Sequence, residues 1–419
     1  MVAAAQPGTA YRKLDQAELN LICAKHDRLW SSKPGGARAV LAWTDLTGLD
    51  LRGRNLCDAD FTGAILADCL MQRVRLDNAN LFGADLQGAD LFEASLRRAD
   101  LRGASLRNAN LTGADLFEAD LREGVVAAAD RREGIRRLEP RVTPGQAQNA
   151  ILAGANLERS RLGGIMALKA DFSDAIMKDA KLVRANLKQA NLSGADLSGA
   201  DLSGCELAGA DLRDAVLVGA KTFGWNVSEA NLKGVLTDEP AGVPASAMPY
   251  QTMIQEHARW CETGGAEGKP SVFDGADLRK LASIRGFNLT ALSAKAAVFY
   301  GLDMEGVQLQ GAHLEGADLR NCNLRRADLR GAKLMKAKLG GADLRQAQMG
   351  PLLLGRDRIL PCDLTEASLK GADLSHADLR QAVLVQADVS RANFTGAMLR
   401  QINGAGVVRV GARGFEDVI

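Results

Sequence analysis

Every fifth residue from Leu46 to Val126 is apolar. Leu46, Leu51, Leu56, Phe61, Leu66, Met71 and Leu76 open the run, and leucine fills each step from Leu81 to Leu121. Alanine stands two residues before most of them, as at Ala59, Ala64, Ala79 and Ala84, and onward to Ala119. Asp or Asn lies between the two, as at Asp85, Asp90, Asp100 and Asn110, and Gly often closes the unit, as at Gly83, Gly88, Gly103 and Gly113. A period of five is neither 3.6 nor 2, which excludes a long helix and an ordinary strand. A small and a large apolar residue two positions apart point the same way along a short extended stretch. The chain must then turn and repeat the pattern on its next side. Aromatic residues make up only 4% of the 419 residues, too few for a large irregular core but enough for a narrow, uniform tube.

The pattern returns in two further blocks. One runs in a new phase from Leu152 and Leu157 through Leu187, Leu192, Leu197, Leu202 and Leu212 to Leu232, weakening at Ala167 and Thr222. Trp225 falls where alanine belongs, and indole does not fit an alanine slot, so a bulge or loop is predicted near Phe223–Trp225. The third block holds phase from Ile284 to Leu399. Pro351 and Pro361 bracket a weaker stretch, which predicts a loop over Gly350–Pro361, because proline cannot donate to a ladder.

These A(D/N)LXX units resemble the pentapeptide-repeat family over most of the chain. The resemblance implies a mainly β fold, a right-handed quadrilateral parallel β-helix in which four pentapeptides close a coil of about 20 residues and coils stack about 4.8 Å apart.

Two segments outside the repeats match each other. Leu19, Ile22, Cys23, His26 and Trp30 have the spacing of an apolar helix face, and so do Tyr250, Met253, Ile254, His257 and Cys261, each displaced by 231. Downstream, Asp45-Leu46 followed by Arg52-Gly53-Arg54-Asn55-Leu56 returns as Asp277-Leu278 and Arg285-Gly286-Phe287-Asn288-Leu289. This reads as an internal duplication into two helix-plus-solenoid halves, each helix covering the open apolar end of a coil. The expected segments are an N-terminal region with a cap helix (1–43), a first solenoid block (44–126), an insertion loop (127–149), a second block (150–237), a Pro-rich linker with the second cap helix (238–271), a third block (272–400) and a tail (401–419). The tail either finishes the last coil or supports self-association as a homodimer.

No chemistry-bearing motif stands out. His26 and His257 lie on the cap-helix faces as packed, hydrogen-bonded residues, and His313 and His376 are surface substitutions within repeats. Cys69, Cys205, Cys322 and Cys362 replace repeat alanines as small buried hydrophobes. No phosphate loop, metal-ligand motif or nucleophile elbow is present, so a non-enzymatic protein with no cofactor and no metal is expected. Lys plus Arg is 52 against 51 Asp plus Glu, a balance that gives no reason to expect direct nucleic-acid binding. No segment could span a bilayer, so a cytoplasmic protein without a membrane partner is expected.

Partner binding in a solenoid lives on its faces and loops. With a 20-residue coil, Asp60, Asn80, Asp100 and Asp120 form one column beside Thr62, Phe82, Arg102 and Arg122. Like charges at that spacing repel by roughly 0.9 kcal/mol per pair in water, which the arginines offset. Phe82, Phe92 and Phe117 point outward on three different sides. The insertion carries Arg131, Arg132, Arg136, Arg137 and Arg141 and is the candidate partner-binding loop. Some members of the resembled family protect or inhibit DNA gyrase as acidic mimics of duplex DNA. The frequent arginine after the central leucine (Arg52, Arg97, Arg102, Arg107, Arg122, Arg320, Arg330, Arg345) and the near-zero charge oppose that role for gyrase or topoisomerase IV. The reading is a scaffold or adaptor for protein partners.

Overall fold

The computed structural model describes residues 11–129, 138–244, 248–281, 283–355 and 358–415. The chain divides into two compact units, Met1–Asp238 and Glu239–Ile419. In both, the five-residue pattern winds into a coil with a 20-residue period. Asp60 bridges Asn80 and Asn80 bridges Asp100, while Asp45–Ile65, Asp50–Leu70 and Asn55–Arg75 mark the other three sides, all in parallel.

One pentapeptide shows why the pattern is obligatory. Leu86 donates its amide to the Ser105 carbonyl one coil on (2.8 Å), Gly88 to Arg107 (2.9 Å), Asp90 to Cys69 one coil back (3.0 Å), and Ala89 closes the turn onto Leu86 (3.1 Å). The fifth amide, that of Gln87, has no backbone acceptor and donates to Oδ1 of Asp85 at 3.1 Å. Every main-chain donor of the unit is therefore satisfied without a partner from inside the tube. The interior is left to Ala84, Leu86, Ala89 and Leu91, none more than 1% exposed, and to their counterparts.

Unit 1 opens with β1 (Arg12–Lys13), then α1 (Gln16–Trp30), then the coil, whose first two-residue strand is β2 (Thr44–Asp45). β1 pairs in parallel with β2, so the leader adds itself to the coil edge. A capping box starts α1: Asp15 accepts the Glu18 amide at 2.8 Å, and Glu18 accepts that of Asp15 at 3.3 Å. Leu19, Cys23 and His26 are buried against the first coils, whereas Trp30 is 47% exposed rather than part of the buried face. Coiling begins one pentapeptide before Leu46, with Val40 bridging Asp60.

Among the described residues of unit 1, the coil is interrupted once. β3 (Gly124–Ala129) and β4 (Leu138–Thr143) form an antiparallel hairpin, and the bridges jump from a 20-residue to a 41-residue step, Ser105 meeting Gln146. The excursion thus starts before Ala127, and coiling resumes before 150. No bulge interrupts Phe223–Trp225, because Asp201–Lys221 and Glu206–Asn226 keep the regular step. The indole fits because Trp225 belongs to the last coil, where no further turn closes its slot, and it packs partly buried against the core. At that end the Asp238 carboxylate accepts the otherwise unpaired Gly219 amide at 3.0 Å.

Unit 2 repeats the order: β5 (Val243–Pro244), α2 (Tyr250–Glu262), then a coil beginning with β6 (Ala276–Asp277), which pairs in parallel with β5. Tyr250, Ile254, His257 and Ala258 are the buried residues of α2. A second hairpin, β7 (Leu352–Leu353) with β8 (Ile359–Leu360), interrupts this coil, and Lys333 bridges Asp363 across it. Coiling continues past 400 to Arg413, where Phe415 stacks on Phe394 at 4.8 Å.

Positions 185, 205 and 225 stack in one alanine column. Ala185→Leu, enclosed on both sides, is expected to cost about 1–3 kcal/mol by overpacking and to lower the melting temperature by several degrees, at about 2–4 °C per kcal/mol. Trp225→Ala should shift it less. Circular-dichroism melts of the two full-length variants check this, and equal shifts would contradict an open terminal slot.

Candidate partner-binding surface

The outward aspartates are committed to the fold before they are available to a ligand. Nine of them among the described residues also hold an arginine two positions on: Asp50–Arg52, Asp100–Arg102, Asp120–Arg122, Asp211–Arg213, Asp277–Arg279, Asp318–Arg320, Asp328–Arg330, Asp343–Arg345 and Asp378–Arg380, all between 2.5 and 2.7 Å. In Asp50–Arg52 the carboxylate accepts the Arg52 amide at 2.9 Å and both Nε and Nη2 of its guanidinium. The guanidinium holds the Asp50 carboxyl down to about 2. Arginine also covers the outward aromatics: Arg102 lies over Phe82 at 5.5 Å and Arg97 over Phe117 at 4.6 Å. At these positions the charges are neutralised within one turn.

Two hairpins interrupt these faces. The first leaves the coil where Gly124 crosses Gly103. A Cβ on Gly103 would lie 3.2 Å from the Gly124 Cα, and one on Gly124 would lie 3.0 Å from the Arg102 carbonyl oxygen. Of the arginines expected to form the binding loop, Arg141 lies in β4 with its Cα opposite Val126. Arg131, Arg132, Arg136 and Arg137 lie outside the described residues. The second hairpin rests on Gly331 (φ +66°), where a Cβ would come within 2.8 Å of the Leu352 Cβ. It turns Leu353 (70% exposed), Leu354 and Ile359 to solvent, an apolar rim that the sequence reading had treated only as a loop. The run Leu352-Leu353-Leu354 between two prolines was the signal for it.

The cap helices are locked by their histidines in matching ways. In α1, Nδ1 of His26 accepts the Ala39 amide at 3.0 Å. The Trp30 indole N–H is directed at Nε2 of the same ring, 3.1 Å away. In α2, Nδ1 of His257 accepts the Ser271 amide at 3.1 Å and Nε2 donates to the Thr290 carbonyl at 3.2 Å. Burial holds both imidazoles below their ordinary value. Three of the alanine-slot cysteines share one geometry: Cys69, Cys205 and Cys322 donate to the carbonyls of Leu46, Leu182 and Phe299, 23 residues back, at 3.0, 2.9 and 3.2 Å. Burial pushes Cys69 up to about 11 and Cys205 and Cys322 to about 12, so these thiols stay protonated. Among the described residues no group of three or more His, Cys, Asp or Glu is arranged to hold a metal ion, and no helix is long and apolar enough to cross a membrane.

The family described as pentapeptide repeats matches in eight copies, over residues 37–73, 66–98, 94–123, 150–189, 190–221, 308–349 and 362–401. The chain belongs to the pentapeptide-repeat family. The family match breaks at 124–149 and 350–361, the two hairpin sites, and over 222–307, which includes the end of the first coil and α2. Solved structures similar to the chain include HetL, a pentapeptide repeat protein involved in heterocyst differentiation regulation from Nostoc sp. strain PCC 7120, at 24% identity over 94% of this chain and 96% of that one, TM-score 0.19. Rfr23 from Cyanothece 51142 matches at 29% identity over 33% and 88%, TM-score 0.23. QnrB1, a plasmid-mediated fluoroquinolone resistance protein, matches at 14% over 65% and 90%, TM-score 0.24. No curated protein matches.

The histidine caps give this pentapeptide-repeat chain a signed pH dependence. Each imidazole is neutral when folded, with its pKa below the unfolded value of 6.5. The unfolded state therefore takes up the proton first, and the stabilisation is complete above about pH 6.5 and is lost as pH falls through the folded pKa. A second loss follows below 3.8 as Asp50 protonates through about 2. Melts followed by tryptophan fluorescence should show a lower midpoint at pH 5.5 than at pH 7.5, with Trp260 5.9 Å from His257 as reporter. The double variant His26→Gln, His257→Gln should be less stable at both pH values and lack that difference. A wild-type midpoint unchanged between them would contradict the neutral-cap reading.

Proposed function

We propose that the protein is a non-enzymatic scaffold or adaptor that binds protein partners through its solenoid faces and the two hairpins inserted into them. The observation that carries this reading is the pair of hairpins, each seated against a glycine of the neighbouring coil, the second presenting Leu353, Leu354 and Ile359 to solvent. Exposed apolar side chains on a rigid frame suit insertion into a concave partner. The reading includes a right-handed coil, a cytoplasmic setting, the arginines Arg131, Arg132, Arg136, Arg137 and Arg141 as contacts to an acidic surface, and descent of both units from one duplicated helix-plus-solenoid. The leader strands at Arg12–Lys13 and Val243–Pro244 support the duplication, because they keep the displacement of 231. Mimicry of DNA toward gyrase or topoisomerase IV is the weaker alternative. A mimic needs an unbroken row of uncompensated negative charge, and the Asp–Arg pairs at 2.5–2.7 Å oppose one.

Affinity capture from cell extract, with bound proteins identified by mass spectrometry, tests the reading. A reproducible partner is expected. Replacing Ala129–Leu138 by Asn-Gly, or Leu353 and Leu354 by Ser, should weaken that partner at least tenfold while leaving the melting temperature within about 2 °C, as for surface changes. Wild-type affinity in both variants would remove the hairpins from the interface. Recovery of gyrase or topoisomerase IV subunits would favour the alternative.

A further inference from the structure

The turn between successive sides places its third residue in the left-handed region, where glycine is free of strain. One corner of unit 1 departs from glycine over six successive coils: Asp58, Asn78, Arg98, Glu118, Arg159 and Asp179 hold that position, with φ between 55° and 58°. This is the longest such run in the unit among the described residues. At the other corners glycine alternates with other residues, so an unbroken run of strained L side chains along one line marks a place where the side chains themselves are wanted.

Two residues along each coil from this rail runs a second one, in which Asp120, Arg161 and Lys181 stack one above another. Together the rails bound a groove of about 690 Å³. Its charges are unevenly matched. Arg98 meets Glu118 at 2.8 Å and Arg122 holds Asp120 at 2.7 Å. Arg161 reaches that occupied carboxylate only at 3.9 Å, and Arg159 meets Glu118 at 3.9 Å and Glu158 at 3.8 Å. Lys181 makes no ion pair within 4.0 Å among the described residues, and its charge acts on Asp201 of the next coil. Three cations on adjacent coils thus face one cleft with contacts near 3.9 Å or no ion pair.

We propose that this corner groove binds a carboxylate-bearing peptide segment of a protein partner, with Arg161 and Lys181 receiving its carboxylates. This assignment rests on the adaptor reading and adds to it the place and chemistry of one contact. The charge pattern favours a peptide over a nucleic acid. A uniform phosphate backbone would meet Glu118, Asp120 and Asp179 as well as the cations, and no aromatic residue lines the groove to stack a base. A peptide carries spaced carboxylates for the cations and amide donors for the acidic positions.

The test uses the full-length protein and a fluorescein-labelled synthetic peptide of alternating Glu and Ser, read by fluorescence anisotropy. Saturable binding that weakens with added salt is expected. The double variant Arg161→Glu, Lys181→Glu should bind at least tenfold more weakly with an unchanged circular-dichroism spectrum, and Lys221→Glu, outside the lining, should bind as wild type. Absence of saturable binding, equal binding by the double variant, or tighter binding of a single-stranded oligonucleotide of the same charge would each overturn the assignment. A cellular partner that binds wild type and double variant equally overturns the groove and leaves the adaptor function standing. Absence of any protein partner overturns both.

Discussion

The amide of the residue after each central leucine governs much of this structure. In a pentapeptide such as 86–90, four of five amides find carbonyl partners in neighbouring coils or across the turn, and the fifth has only the side chain one position before the leucine to turn to. That single unmet donor explains why Asp or Asn recurs between alanine and leucine, and hence why the chain carries so many acidic residues without an acidic function. It also sets the place of the arginines. A guanidinium that follows the same amide falls within reach of the same carboxylate, as in Asp211–Arg213 and Asp378–Arg380. Among the described residues, nine Asp–Arg pairs neutralise each other in this way within a single turn.

The parts of the fold set by period were legible in the sequence. The buried leucine and alanine slots, the cap helices, the packed His26 and His257 and the cysteines in alanine positions all follow from one repeated environment, which a residue either fits or interrupts. What was not legible depends on neighbours remote in sequence. Trp225 contradicts its slot locally, yet it is tolerated because the coil ends there, and nothing in residues 220–230 announces that end. The insertion read as a loop is at its root a hairpin. Its first strand, Gly124–Ala129, continues the apolar composition of the repeat, so the departure before Ala127 left no compositional trace.

The candidate surfaces divide in the same way. The Asp–Arg pairs could have been found from the recurring Asp-Leu-Arg tripeptide once the unmet amide was known, because the two side chains share one acceptor geometry. The exposed rim of the second hairpin was signalled by three leucines between prolines. The groove at Arg159, Arg161 and Lys181 had no such signal. Its rails come into register only because the first hairpin inserts between Asp120 and Arg161, turning a 41-residue separation into adjacent coils.

That insertion bears on how a repeat this regular acquires a site at all. A solenoid whose turns each neutralise themselves presents nearly the same face at every level, and a partner would have no reason to prefer one coil over the next. Selectivity requires a level at which the local pairing fails. Here the hairpin brings the acidic pair Glu118 and Asp120 directly beneath the basic pair Arg159 and Arg161, a step in charge across one coil boundary, while Arg98 and Arg122 already engage the two carboxylates. The cations above the boundary are left with contacts near 3.9 Å. The hairpin therefore acts twice, as a projection in its own right and as the device that shifts one stretch of repeat against another so that their charges no longer cancel.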